Sequence, residues 1–385
     1  MRRTHFYHKL VLCGICSLLF GYCKTPYDAP LKATQTNFLV VEGFIDGAAP
    51  TTIKLSRTRI LSAGDTAISL KELNANVLIE DDHQNTYPLA EAGNGVYSNT
   101  NTLILNPARQ YRLHISTSSA REYFSDFVPF KPSPLIDTIG WKFKDGGVQT
   151  YLNTHDPNDS TRYYRWEYNE TWEVHSYYDS YIKYDAASNS VIPRTEQAYI
   201  CWHSHNSTNI LLGSSAKLSS DVINEMPFVY IEQHDERLSV LYSIWVKQYA
   251  LDLKGYNFWQ AMKSNTENVG SIFDPQPNQT PGNIHCRTDS SETVVGYIGA
   301  GNTFEKRVFI NNHLMPPTWN IFPFCPTKIV PDNPDSLTFY FGTGALAPYA
   351  NASTASGSPA FSASGIKCVD CTISGGINIK PPFWP

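Results

Sequence analysis

The chain is poor in charge and lacks the local motifs of common enzymes. Charged residues make up 17% of its 385 residues, whereas an ordinary soluble protein has roughly 25%. No basic stripe is present, which argues against nucleic acid as a partner. No G-x-S-x-G, H-E-x-x-H or phosphate-binding loop occurs in the sequence, and these are typical signatures of nucleophilic, zinc-dependent and phosphoryl-transfer catalysis. We therefore expect a non-enzymatic protein that uses no cofactor and no metal.

Long hydrophobic runs are also missing, except near the start. "LVLCGICSLLFG" follows a basic beginning and is too short to span a membrane as a mature helix, so it is typical of a signal peptide. It ends at "LLFGYC", which is similar to a lipobox. We expect residues 1–22 to be removed and Cys23 to carry lipid. Tyr22 stands where a small residue is usual, and plain secretion is the alternative.

Aromatic residues and turn formers are abundant instead. Aromatics reach 13%, and the chain has 23 glycines and 25 prolines, a composition typical of mainly β proteins. After a tether over residues 23–36, short strands with Gly, Asn and Asp turns predict an Ig-like β-sandwich over residues 37–130. A larger β-rich domain is expected over residues 131–385. Its one substantial helix is predicted near residues 252–266, with Asp252 as its cap.

Two segments of the second domain are predicted to lack regular structure. Residues 343–365 are small and low in complexity, which favours a mobile loop. Residues 271–284, "SIFDPQPNQTPGNI", contain three prolines that restrict the backbone. Ser271 and Asp274 have no histidine between them, so a structural crossing is favoured over an active-site loop. Phe273 is expected to be its buried anchor.

The stretch "YYRWEYNETWEVH" alternates between aromatic and polar residues, as a strand with two different faces does. The aromatic face carries Tyr164, Trp166, Tyr168 and Trp172. A core face is the favoured interpretation, and a platform for stacking sugars is the alternative. The alternation ends in "SYYDSYIKY", which predicts a loop or hairpin tip. Our candidates for ligand contact come from this stretch: Tyr177, Tyr178, Tyr181 and Tyr184.

Five cysteines follow Cys23, and disulfides are the default in an oxidising envelope. We expect two disulfides among Cys201, Cys325, Cys368 and Cys371. Cys286 is then the free thiol. Zinc binding and redox activity are alternatives for the C-x-x-C at Cys368, but its place in a β-rich tail favours structural disulfides.

Two histidines in "CWHSHN" could share one face of a strand. His203 and His205 are two positions apart, a spacing that would suit a metal ion. No nearby Asp, Glu or His completes a ligand set in the sequence. Surface or turn positions are therefore the favoured interpretation.

Four stretches together resemble one family. They are "FLVVEGFID", "YYRWEYNETWE", the run from "QYALDLKGYNFWQAMK" through "VVGYIGAG" to "KRVFI", and the ending "CVDCTISGGINIKPPFWP". The chain from about residue 23 to its end thereby resembles the Bacteroidota lipoproteins catalogued as domain of unknown function 4249. Tyr22 and Thr372 depart from the family pattern.

The resemblance implies an outer-membrane lipoprotein, often encoded beside a TonB-dependent receptor, and it supplies no catalytic residues. We therefore expect a lipid-anchored accessory partner of such a receptor in nutrient uptake or surface assembly, on the periplasmic or cell-surface side. The alternative is a freestanding surface protein that binds glycans or peptides through exposed aromatics. An enzyme is a third possibility, which converging catalytic side chains in a cleft would favour.

Overall fold

The computed structural model describes residues 37–58, 70–267, 282–319 and 324–385. The predicted signal peptide, the tether with Cys23, and residues 271–281 of the predicted crossing lie outside these ranges, so those expectations stay predictions. Within the described ranges the fold is mainly β, as predicted. No helix in this part of the chain is long and apolar enough to cross a membrane.

The strands of the described chain fall into an earlier and a later group. The earlier group comprises β1 (Leu39–Asp46), β2 (Thr52–Arg57), β3 (Leu70–Lys71), β4 (Asn76–Asp81), β5 (Thr86–Gly93), β6 (Val96–Ser98), β7 (Gln110–Ser116), β8 (Glu122–Ser125) and β9 (Val128–Pro132). The later group comprises β10 (Ile136–Lys144), β11 (Gly147–His155), β12 (Tyr163–His175), β13 (Ile182–Asp185), β14 (Ser190–Pro193), β15 (Ile200–Asn206), β16 (Leu211–Ser214), β17 (Val222–Glu232), β18 (Leu241–Leu251), β19 (Ile284–Cys286), β20 (Ala300–Asn302), β21 (Phe304–Asn311), β22 (Lys328–Pro331), β23 (Leu346–Ser353) and β24 (Pro359–Gly365). The α-helices are α1 (Leu253–Glu267), α2 (Pro334–Phe341) and α3 (Ile366–Val369), and 3-10 helices occupy Glu236–Leu238, Asn312–Leu314 and Cys371–Ser374.

Strands β1–β9 form one sheet, which two later strands complete and which we name the N-terminal sheet. Its order is β19-β8-β7-β4-β5-β6-β2-β1-β20-β9, with β3 paired to β2 and β9 also paired to β7. The sheet therefore closes on itself and is more continuous than the predicted sandwich. β20 lies between β1 and β9, parallel to both. The predicted boundary at residue 130 is wrong for this sheet, because strands within residues 284–302 belong to it.

Strand β20 fits between β1 and β9 because its residues are small. A Cβ atom on Gly301 would lie 1.8 Å from the carbonyl oxygen of Lys131 on β9. Ala300 is buried beside it and joins Ile45 and Phe130 in the core of the N-terminal sheet. A larger side chain at position 301 would push β20 away from β9, so this pairing depends on glycine.

Two further sheets enclose a second core. One has the order β10-β11-β17, and the other β15-β12-β18-β21 with β16 also paired to β12. Tyr164 and Trp166 of β12 are buried in this core with Ile244 and Val246 of β18. The aromatic face of β12 is therefore a core face, the favoured of the two interpretations. The alternate residues of β12 and β18 point away from this core and form the outer face of the sheet.

Helix α1 is the helix predicted near residues 252–266. The Asp252 carboxylate accepts a hydrogen bond from the Gly255 backbone N–H at 2.7 Å, which caps the helix. It also accepts one from the Tyr297 hydroxyl at 2.8 Å. Phe258 is buried and packs on the Tyr297 ring. Helix α1 is thus fixed to the segment that runs beside β1.

Residues 343–365 do not form the mobile loop that we predict from composition. They contain β23 and β24, which pair with each other, and β24 also pairs with β22. Phe361 and Ala363 of β24 belong to a small core with Leu337 and Phe341 of α2. The prediction failed because small residues resemble a linker in composition, whereas here they allow a strand and a helix to pack closely.

Two disulfides fasten the C-terminal segment. Cys201 is bonded to Cys371, and Cys325 to Cys368. The four cysteines predicted to be oxidised therefore form two disulfides. The two cysteines of the C-x-x-C are not bonded to each other, because each has its own distant partner. Cys286 is free, as predicted, and the structure shows that it is also buried.

The end of the chain covers part of the outer face of the β12–β18–β21 sheet. The Trp384 ring packs edge-on against Trp202 and Phe309. Its Nε1 donates a hydrogen bond to the Glu173 carboxylate at 2.8 Å. Phe383 beside it lies under the guanidinium of Arg307. The N-terminal sheet and α1 lie at the opposite end of the same face.

Candidate functional site

A cleft lies between the N-terminal sheet and the outer face of the β12–β18 sheet, and we name it the inter-sheet cleft. Its volume is about 720 Å³, within the range of roughly 300–1,000 Å³ usual for small-ligand sites. Its lining comes from residues 40–43, Lys54, residues 165–168, residues 206–210, Trp245, Phe258, Trp259, Met262 and residues 295–297. Elements far apart in sequence therefore meet at one concave surface.

The floor of the cleft is the polar face of β12. Arg165, Glu167 and Asn169 alternate with core residues, so they stand on the outer face of the sheet. Trp245 of β18 is directly opposite Asn169 in the antiparallel register. The part of this face that lines the cleft combines the charged side chains of Arg165 and Glu167 with the indole ring of Trp245.

The guanidinium of Arg165 lies between two aromatic rings. Its Cζ is 4.2 Å from the ring centre of Tyr249 and 4.3 Å from that of Trp259, contacts that are favourable for arginine. Glu167 accepts hydrogen bonds from Arg165 at 2.6 Å and from the Tyr249 hydroxyl at 2.7 Å. Burial raises the pKa of Glu167, but the charge of Arg165 and these hydrogen bonds outweigh burial and hold that pKa below its ordinary value. The charged pair therefore fixes Trp259 of α1 against the floor.

The loop over residues 206–210 forms one rim of the cleft and is held at both ends. The Ser207 N–H donates to a β12 carbonyl at 2.8 Å, and its hydroxyl accepts from a β12 N–H at 3.1 Å. At the other end, the Ile210 N–H donates to Glu267 at 2.5 Å, and its carbonyl accepts from Lys263 at 2.8 Å. Helix α1 and strand β12 together fix the position of this rim.

Two side chains of this rim have free hydrogen-bonding capacity. Thr208 and Asn209 are exposed, and neither side chain makes a hydrogen bond within the described ranges of the chain. Asn206 differs, because its side-chain oxygen Oδ1 accepts a hydrogen bond from the Asn169 side-chain amide at 3.0 Å. A hydroxyl and an amide are therefore presented to the cleft on a fixed backbone.

A second cavity, of about 420 Å³, opens beside the inter-sheet cleft. It contains Glu170, whose side chain is only 5% exposed. Glu170 accepts hydrogen bonds from Arg237 at 2.9 Å and from the Tyr242 hydroxyl at 2.8 Å. Burial and the negative charge of Glu170 raise the pKa of Tyr242 well above its ordinary value, so that hydroxyl stays a donor. The arrangement is that of a compensated buried ion pair.

The structure does not bring the four candidate tyrosines into one patch. Tyr178 stacks on Tyr349 at 3.9 Å and donates to the Cys325 carbonyl at 2.9 Å. Tyr184 packs towards the core around α2. Tyr177 is 49% exposed and Tyr181 is 73% exposed. Ligand contact by these tyrosines stays a prediction, and it now rests on the two exposed rings.

The two histidines of β15 do lie on one face, beside the second cavity. His203 stacks on Trp172 with ring centres 5.4 Å apart. Nδ1 of His205 lies 3.5 Å from the Glu170 carboxylate. Among the residues that the structure describes, no group of three His, Cys, Asp or Glu side chains is placed to hold a metal ion.

Sequence reasoning found neither cavity, although the sequence of β12 contains one signal for the second. A polar face with Arg165 and Glu167 opposite an aromatic face predicts a strand covered on one side only, so it does not indicate the inter-sheet cleft. Glu170 shares the parity of Tyr168 and Trp172, so a carboxylate interrupts the aromatic face. Such an interruption predicts a buried partner, but not that the partner is an arginine distant in sequence.

Fold and cleft together define a mainly β, disulfide-bonded protein in which two β units meet at a concave, aromatic-lined surface. The chain belongs to the family described as Domain of unknown function (DUF4249), whose model matches residues 24–307. The match covers every segment that lines the inter-sheet cleft and ends before α2 and the C-terminal sheet. No curated protein matches the chain.

Proposed function

We propose that the protein is a non-enzymatic outer-membrane lipoprotein that binds a ligand in the inter-sheet cleft and assists a TonB-dependent receptor in nutrient uptake or surface assembly. The observation that carries the proposal is the cleft, where Trp245 and Trp259 stand near a fixed rim with free polar groups. Aromatic walls with a few oriented polar groups are the usual composition of ligand sites. The Bacteroidota source and the periplasmic or cell-surface address belong to the same proposal.

Lipid attachment at Cys23 supplies the membrane anchor in this proposal. Its support is the short apolar run that ends in "LLFGYC". Cells expressing the wild type or Cys23→Ala are labelled with a fatty-acid probe and then fractionated. We expect label and membrane association only in the wild type. A wild type without label, together with a membrane-bound variant, would contradict the anchor.

An apolar surface on the C-terminal segment supports the receptor partnership. Ile377 is 61% exposed and Ile379 is 73% exposed, although the nearby Cys201–Cys371 disulfide fixes this segment to β15. Exposed apolar side chains on a rigid segment are suited to a protein interface.

The receptor partnership is tested by co-purification from detergent-solubilised outer membrane, with mass spectrometry as the readout. The wild type should retain a TonB-dependent receptor, and a variant with Ile377→Asp and Ile379→Asp should retain much less of it. Ile104→Asp, at a 95% exposed position in the connection between β6 and β7, is the control. If no receptor co-purifies with the wild type, the freestanding binding protein becomes the better description.

A further inference from the structure

We infer that the inter-sheet cleft takes an uncharged oligosaccharide, a ligand class that rests on the proposed binding function and makes it more specific. Three independent features of the lining point to this class: the balance of its charges, the placement of its indole rings, and the type of its free polar groups. Each feature is compatible with sugars, and the charge balance disfavours a charged ligand.

The charges that line the cleft balance one another. Arg165 and Glu167 form an ion pair at 2.6 Å. Glu42 of β1 and Lys54 of β2 are directly opposite in the antiparallel register, where opposite charges attract. Two cations and two anions thus line the cleft, so its lining has no net charge. A charged ligand gains no net attraction from such a lining, and an anionic ligand would have to compete with Glu167 for Arg165.

The indole rings of the cleft come from two different elements. Trp245 belongs to the sheet floor, and Trp259 belongs to α1. The contact with Arg165 fixes Trp259 in place. Sugars bind flat aromatic rings through the apolar C–H face of the pyranose, and rigid rings lose little conformational entropy when they do so.

The free polar groups of the rim match sugar hydroxyls. Thr208 can donate one hydrogen bond, and Asn209 can both donate and accept. Because the rim backbone is held by β12 and α1, these groups have a fixed position relative to the rings. A sugar hydroxyl can both donate and accept hydrogen bonds, and the Asn209 amide can do the same.

The inference is tested on the Cys23→Ala chain without its signal peptide, so that the protein is soluble in buffer. It is screened against an array of neutral and acidic oligosaccharides, and hits are measured by titration calorimetry. A tryptic digest of casein is the peptide probe. We expect a neutral oligosaccharide to bind. Trp259→Ala and Trp245→Ala should each weaken binding by about tenfold or more, equivalent to about 1.4 kcal/mol.

Two controls separate a lost contact from a lost fold. Trp259→Phe keeps a ring on α1 and should recover part of the affinity, while far-ultraviolet circular dichroism should be unchanged in all variants. Tyr181→Ala removes an exposed ring outside the cleft and should leave affinity unchanged. A loss in Tyr181→Ala alone would move the ligand to the tyrosine stretch and overturn the inference.

Other outcomes overturn the ligand class without touching the proposed function. Binding of a peptide or an acidic oligosaccharide that is abolished by Trp259→Ala would keep the cleft as a ligand site and exclude the neutral sugar. Failure of every neutral oligosaccharide at about 1 mM, the weak end of specific affinities, would also overturn the inference. Failure of all three probe classes would count against the binding function itself.

Discussion

At the scale of single residues, the buried carboxylates show how the chain compensates charge. Burial raises the pKa of Asp156, but the Ser160 hydroxyl and the backbone N–H groups of Asn158, Thr161 and Ser160 outweigh it and lower that pKa to about 2. All of these donors lie within five residues of the carboxylate. Asp156 therefore stabilises the turn over residues 156–161, and its contribution to stability depends on its charge.

The pH dependence of Asp156 follows from the direction of this shift. A carboxyl group with a lowered folded-state pKa stabilises the fold above its ordinary pKa, and this stabilisation is lost as pH falls towards 2. Asp156→Asn should thus cost about 2 kcal/mol at neutral pH and almost nothing near pH 2. The measurement is the free energy of unfolding by urea at several pH values. Asp145→Asn, which changes an exposed carboxylate on the β10–β11 turn, is the control. If Asp156→Asn lowered the free energy of unfolding equally at all pH values, the explanation would be refuted.

The Glu170–Arg237 pair is expected to matter far more than a surface pair. Arg237→Ala would leave the Glu170 carboxylate buried without its cation, which typically costs about 3–5 kcal/mol. Lys142→Ala removes one partner of the exposed pair with Glu225, and such pairs contribute about 0–1 kcal/mol. Chemical denaturation of both variants gives the comparison. Similar losses in the two variants would show that Glu170 finds other compensation.

At the scale of elements, the disulfides show that a local motif can predict oxidised cysteines without predicting how they are paired. The C-x-x-C predicts oxidised cysteines, but the choice of partners depends on where the short helix α3 and the 3-10 helix after it aim the two sulfurs. Cys368 reaches Cys325, and Cys371 reaches Cys201, 170 residues earlier. No local pattern encodes partners at that distance, so the connectivity could not be derived from the sequence.

Thiol accessibility gives a direct test of this arrangement. In a chain of residues 23–385 with Cys23→Ala, Cys286 should be the one thiol that reacts with iodoacetamide, and only after denaturation, because it is 4% exposed. Intact-mass spectrometry before and after denaturation counts the adducts. More than one adduct without reductant, or rapid labelling of the folded chain, would contradict the two disulfides or the burial of Cys286.

The Cys201–Cys371 disulfide should also hold the C-terminal segment in place. Replacing both cysteines by serine removes a cross-link whose loop-entropy contribution is at most about 5 kcal/mol. We expect a lower unfolding midpoint and faster proteolysis between residue 371 and the chain end, where Trp384 is packed against β15 and β21. Proteolysis followed by mass spectrometry locates the cuts. An unchanged protection of Trp384 would show that packing alone is sufficient.

At the scale of the whole molecule, the sequence predicts strands, turns and the main helix well because these depend on neighbours. The mainly β fold, α1 with its Asp252 cap, and the core face of β12 all follow from local periodicity. The inter-sheet cleft and the return of β20 to the first sheet do not. The return of β20 depends on parallel pairing with residues 170 and 255 positions away, and the cleft depends on contacts such as that between Arg165 and Trp259, 94 positions apart. Alternation within a strand contains no information about such partners.

The return of β20 also means that residues 37–130 are not an independent folding unit. Ile284, Val294, Ile298 and Ala300 belong to the core that residues 37–130 enclose. Without them, β1 and β9 would each lose a partner strand, and apolar side chains of the core would face water. A fragment of residues 37–130 should therefore fail to form a fixed tertiary structure.

The control for this prediction restores the missing strands within the same chain. Residues 282–303 are joined to the end of residues 37–130 by a flexible Gly/Ser linker, which adds β19, β20 and the segment between them. We expect dispersed amide signals in a proton–nitrogen NMR spectrum for the linked fragment and poor dispersion for residues 37–130 alone. Linking residues 324–345 instead, a segment that pairs with neither β1 nor β9, should not recover the fold. A well-dispersed spectrum from residues 37–130 alone would show that β20 is an addition to a sheet that is stable without it. The predicted boundary at residue 130 would then mark the end of an independently folding unit, even though later strands pair with that unit.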